Sequence, residues 1–268
     1  MIKQKDLISI YKEATEIVIK NSEKYFINSP VYPVLKKILK NSSEFMINKW
    51  RKKKKYLRTW YVIQVFGDSY PKKILKKSLF FDALTNILDD LFDEALNFEE
   101  RKMYILEMGK ILSFLFRWDN FGENDAASAY FQKLIFMGIG DTVLREHLKR
   151  NNDIDLAKKI YELRSMDIDI FIDLVLQLKK LSKKKELKNY CRIFRALNLI
   201  KKDILDIHHD EKIGQDTPVI IFRNQPEKIK KLVSDLTSIH FPQGKEYQNL
   251  ERMIRKEKNE ILKLLKNF

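Results

Sequence analysis

Apolar positions recur every three to four residues along most of this chain, the period of amphipathic helices. In residues 3–27 they fall at Leu7, Ile8, Ile10, Tyr11, Ala14, Ile17 and Val18, and Asn28, Ser29 and Pro30 end the run. A short helix is expected after Pro33, with Val34, Leu35, Ile38 and Leu39 on one face. Asn41, Ser42 and Ser43 suit the start of a third helix, running through Trp50 and the basic run Arg51, Lys52, Lys53, Lys54, Lys55 to Trp60 and Tyr61. Gly67 to Pro71 reads as a turn. From Lys72 the pattern predicts a helix to about Asn97, then one from Asn97, Glu99 and Glu100 to about Trp118, and a polar loop over residues 119–125.

The second half continues in the same period. Helix resumes at Ala126, and Gly138-Ile139-Gly140-Asp141 reads as an inter-helix turn, or else as a kink or a close backbone approach. Asn151, Asn152 and Asp153 cap the next helix. Residues 167–181 form a buried-looking helix, and Ser182 to Lys185 a basic turn. A helix over residues 186–211 ends at Gly214 to Pro218. Val219-Ile220-Ile221-Phe222 is short and β-prone and is expected to be extended. Two last helices fit residues 226–239 and 245–267.

Composition agrees with this pattern. Seven Gly and six Pro in 268 residues leave long stretches without breakers, which favours helices over a many-turned β architecture. With 44% hydrophobic residues the chain is globular. No repeat or linker separates two parts, so residues 1–268 are expected to form a single all-α domain, a bundle of about ten helices. Cys191 is the only cysteine, which excludes a disulfide framework. The chain begins without an apolar leader and has no run of about 18 apolar residues, so a cytoplasmic protein without a membrane span is expected, peripheral membrane contact being open. The net charge of +15 admits a polyanionic partner, but the cations are spread along the chain, so a lysine-rich surface is preferred and nucleic-acid binding is the lesser reading.

Chemistry concentrates in two acidic columns. Asp89, Asp90 and Asp93 stand at i, i+1 and i+4 on a helix otherwise rich in Leu, Ile and Phe. Asp89 and Asp93 share a face, and the same stripe extends back through Asn86 and Asp82. Such like charges repel, so a cation is expected to compensate them. The second column is Asp203, Asp206 and Asp210, at i, i+3 and i+7. Upstream lie Arg195 and Arg192, and Lys202 sits one turn before Asp206. Carboxylates that hold Mg2+ beside cations that hold phosphate oxygens would account for this wall.

Asp89-Asp90-Leu91-Phe92-Asp93 resembles the first aspartate-rich motif, DDxxD, of class I isoprenoid synthases. Lys202-Asp203-Ile204-Leu205-Asp206 with Asp210 is similar to their second metal motif. The order of the motifs and their separation of about 110 residues agree with that family over residues 72–218. The resemblance implies an all-α bundle around a deep hydrophobic cavity, more than one Mg2+ ion, and a prenyl diphosphate substrate. It implies Asp89, Asp90, Asp93, Asp203, Asp206 and Asp210 as metal ligands, Asp89 and Asp206 being catalytic through the metal, and Arg192, Arg195 and Lys202 as diphosphate contacts. Phe66, Phe80, Phe114, Phe136 and Phe171 are candidate cavity-wall residues. A terpene cyclase type is preferred, because the arginine pair of chain-elongating enzymes is reduced to Arg101 alone. A squalene- or phytoene-synthase type is the next reading, and chain elongation the third. Of the family's upstream arginine, the nearest counterparts are Lys158, Lys159 and Arg164. The rivals of another class are a basic helical module binding RNA or protein, and an all-α metal-dependent nucleotide phosphohydrolase. A homodimer is left open. His208 and His209 point about 100° apart on one helix and are expected at the surface.

Overall fold

A computed structural model describes residues 57–93, 125–178, 184–212, 214–266 and 268, together with residues 9, 13, 28 and 33. The helices expected over residues 3–27, after Pro33, from Asn41 to Trp50 and over 97–118 lie outside the described residues, as do the basic run 51–55 and Phe114. Every regular element among the described residues is helical, and no helix is long and apolar enough to cross a membrane. Contacts gather into two compact units. The described residues within Met1–Phe136 and Ile170–Lys180 form one, and those within Met137–Asp169 and Leu181–Phe268 the other.

The first unit begins with α1, Arg58–Phe66. Gly67 closes it at φ +54, a conformation open to glycine and strained for most other residues. Two 3-10 turns, Gly67–Ser69 and Lys72–Ile74, lead into α2, Leu75–Asp93. The N-terminus of α1 is capped from outside its own sequence. Leu57 stands at the N-cap and offers no side-chain acceptor. Asp82 of α2 accepts the Arg58 and Thr59 backbone N–H groups instead, at 2.9 and 2.8 Å. Arg58 Nη1 lies 3.9 Å from Asp82 and donates to Asn86 Oδ1 at 2.7 Å. Around this polar latch the core is aromatic. Tyr130 stands edge-on to both Phe81 and Phe171, with centroids 6.5 and 6.2 Å away.

The second unit is built around α6, Lys184–Leu205. Leu187, Cys191, Phe194, Leu197, Ile200 and Ile204 follow its buried stripe. Along it packs α10, Lys245–Leu264, through Tyr247, Leu250, Ile254 and Ile261. Lys201 crosses between them to Glu257, at 3.0 Å, and to Glu260. Helix α4, Ile154–Arg164, is capped by Asp153, as expected, the carboxylate accepting from Asp155 N–H at 2.9 Å. A 3-10 turn, Ser165–Ile168, joins α4 to α5, Asp169–Leu178. Helix α9, Pro226–Thr237, packs on α4 and α6.

Three expectations change. Helix α3 is continuous from Asp125 to Asn151, with no break at Gly138-Ile139-Gly140. A helical glycine costs only about 1 kcal/mol against alanine, which packing overrides. Gly140 is there for close approach, since a Cβ would meet Leu163 Cδ2 at 2.9 Å. Secondly, Val219 to Phe222 does not run extended. Pro218–Ile221 is a short helix, α8, because Thr217 caps it and Pro218 occupies its first turn. Thirdly, the helix expected over 186–211 divides at Asp206 into α6 and α7, Ile207–Lys212.

Candidate functional site

The helical hydrogen bonds persist through the division between α6 and α7. Asp206 N–H donates to Lys202 C=O and Asp210 N–H to Asp206 C=O, both at 2.9 Å. The second acidic column therefore keeps its register, and its three carboxylates meet different surroundings.

Asp203 is 1% exposed. Its Oδ2 accepts from Tyr161 Oη and from Arg164 Nη1, each at 2.8 Å. Burial opposes its charge, but the Arg164 guanidinium, with Lys202 and Arg145 behind it, holds the carboxyl below its usual range. Burial likewise works against Arg164, while Asp203 and Asp141 keep it firmly protonated. Arg164 also lies 5.6 Å from the Tyr161 ring centroid. Tyr161 is fully buried and its hydroxyl is pushed well up, first by burial and then by Asp203.

Asp210 is 7% exposed, yet no hydrogen bond or ion pair engages its carboxylate among the described residues. Its carboxyl is raised, by burial and then by the neighbouring Asp203, with Asp206 adding to the effect and Lys202 opposing it. Asp206 is half-buried, one turn earlier, and likewise has no bonded cation among the described residues.

The cations expected to hold phosphate oxygens are placed elsewhere. Arg192 forms a two-pronged pair with Asp169, Nε–Oδ1 at 2.8 Å and Nη2–Oδ2 at 2.6 Å. Arg195 does the same with Asp167, at 3.0 and 2.7 Å. These forks tie α6 to the 3-10 turn before α5 and to the first residue of α5. Lys202 is exposed, as are His208 and His209. The guanidiniums that reach the acidic column are Arg164 and Arg145. Arg145 comes from α3, where Nη2 lies 2.6 Å from Asp141 Oδ2 and Nη1 donates to Asp216 C=O at 3.2 Å. Neither Arg145 nor Asp141 is singled out by sequence spacing. Each is about 60 residues from the column, and only the packing of α3, α4 and α6 brings them to it.

The first column divides differently. Asp82 and Asn86 are spent on α1 and Arg58, which is the cation expected to compensate that stripe. Burial pushes the Asp82 carboxyl up to about 6, with Arg58 and the donors from Thr59 pulling the other way. The backbone of Asp89, Asp90 and Asp93 lies in α2. Their side chains fall outside the described part, as does that of Phe80. Of the other candidate wall residues, Phe66 and Phe171 are buried and Phe136 is 69% exposed.

Among the described residues no three His, Cys, Asp or Glu side chains close into a cage for a metal. Mg2+ does not require one, because it takes one or two carboxylates and completes its octahedron with water and phosphate. Asp206 and Asp210 supply hard oxygen donors without a bonded counter-charge, and the donor set fits that ion. Compared with protein-family models, curated proteins and solved structures, the chain matches none.

Proposed function

We propose that this chain is a Mg2+-dependent enzyme of the class I isoprenoid synthase type, which ionises a prenyl diphosphate, with cyclase chemistry preferred. The observation that carries the reading is Asp210, a buried carboxylate without a bonded cation, one turn from Asp206 and beside a guanidinium-held Asp203. In an apolar helical protein such a group is unfavourable until a cation meets it. Asp206 and Asp210 would hold the ion, with Asp89, Asp90 and Asp93 as the expected ligands on the other column. Bound there, Mg2+ would neutralise the charge that develops on the departing diphosphate. Asp203 acts one step back by fixing Arg164, so that a cation stands at the edge of the acidic column. Ionisation breaks the allylic C–O bond, and the electron pair leaves with the diphosphate.

The test is diphosphate release from a series of prenyl diphosphates of increasing chain length, with and without isopentenyl diphosphate. Release without isopentenyl diphosphate, abolished by EDTA and in Asp210→Asn, is expected. Extraction of the organic products separates a cyclase from a coupling enzyme. Absence of release from every member of the series would overturn the reading.

A further inference from the structure

Helix α3 brings two charged side chains to the same cluster, and each has a buried atom with nothing bonded to it. Asp141 and Arg145 are one turn apart and paired through Oδ2 and Nη2. The other two Arg145 and Asp141 atoms differ from these. Asp141 Oδ1 and Arg145 Nε are both shut off from solvent, and neither has a hydrogen-bond partner among the described residues. Buried polar atoms are almost always satisfied, so an open pair asks for an occupant.

The two openings have opposite character. A carboxylate oxygen takes a cation or a proton donor, and a guanidinium N–H takes an anionic oxygen or another acceptor. A divalent cation with a phosphate oxygen on it offers both ends at the spacing of one helical turn. A single water is the competing occupant, since it too can donate and accept. The surroundings favour the charged occupant. Asp141 acts electrostatically on Arg164, and Arg145 acts on Asp203. Next in the column is Asp210, more than nine-tenths buried and without a bonded partner among the described residues. Carboxylates and guanidiniums thus alternate from α3 through α4 to α6 and α7, with one donor and several acceptors left open.

We infer that Asp141 and Arg145 form a second arm of the site, Asp141 Oδ1 taking a divalent cation and Arg145 Nε an oxygen of the phosphate it carries. The inference rests on the metal-dependent reading of Asp206 and Asp210 and adds two ligating residues to it.

The experiment titrates the full chain with Mn2+ alone and with Mn2+ plus inorganic diphosphate, following free Mn2+ by electron paramagnetic resonance. Wild type should bind Mn2+ more tightly when diphosphate is present. Asp141→Asn should weaken Mn2+ binding by at least about ten-fold. Arg145→Gln should leave binding of Mn2+ alone unchanged and lose the gain from diphosphate. Wild-type behaviour in both variants overturns the inference while sparing the parent reading, and points to water as the occupant. No Mn2+ binding by wild type, with or without diphosphate, overturns both. Should either variant fail to fold, wild type alone decides through Fe2+ in place of Mn2+. Peroxide-driven backbone cleavage is then expected around residues 141–145 as well as 206–210. Cleavage confined to 206–210 overturns the second arm.

Discussion

Two acidic stripes run along apolar helices in this protein, and their fates differ. On α2, Asp82 and Asn86 face α1 and are consumed by it. Asp82 closes the N-terminus of α1 with two backbone bonds, and Arg58 reaches both Asp82 and Asn86. On α6 and α7 only Asp203 is consumed in this way, by Tyr161 and Arg164. Asp210 is nearly as buried as these groups, yet no cation or donor is bonded to it among the described residues. An acid on a greasy helix is thus structural where a donor meets it and available for chemistry where none does. Spacing does not distinguish the two cases.

The contrast can be broken by substitution. The largest effect is expected at Asp203. Replacing it with Ala strands a buried guanidinium and a buried phenol, at a cost of about 3–5 kcal/mol, read as a lower urea midpoint. Asp82→Ala comes next, at about 2 kcal/mol, because α1 loses its cap and Arg58 loses its neighbour. Should either variant match wild type, that carboxylate is not held as the geometry has it. Asp210→Asn should go the other way. It relieves an unpaired buried charge and leaves stability within about 1 kcal/mol of wild type, on the favourable side. A loss as large as that of Asp203→Ala would place Asp210 among the structural acids.

A pH series sharpens the same comparison. The Asp82 carboxyl is raised to about 6 in the folded protein, from an ordinary value near 3.8. Between these two values the folded state holds a proton that the unfolded chain has released, so stability falls as pH rises from about 4 to 6. Urea midpoints taken across that interval should decline, and Asp82→Asn should flatten the decline. A rise in wild-type stability over the interval would mean that the two N–H donors and Arg58 outweigh burial.

Much of the helical pattern was legible from residue order. The helical starts at Asp153 and Pro226, the turn after Phe66 and the register of Asp203, Asp206 and Asp210 follow from local spacing, caps and period. These properties depend on neighbours within a turn or two, which the sequence carries directly. Local signals also misled. Gly138 and Gly140 lie within an unbroken helix, since the packing of α3 against Leu163 outweighs their weak helix preference.

The candidate site was half legible. Its carboxylates could be counted from the sequence, but their partners could not. Arg192 and Arg195 share a stripe with the acids, yet they turn to Asp169 and Asp167, more than twenty residues upstream. Arg145 and Arg164 come to the column from α3 and α4 instead. Helical period determines which side chains share a face, because it is set by one backbone geometry. Which cation meets which carboxylate is decided by helices crossing at long sequence separation, and that is where tertiary structure alone chose between a structural acid and an open one.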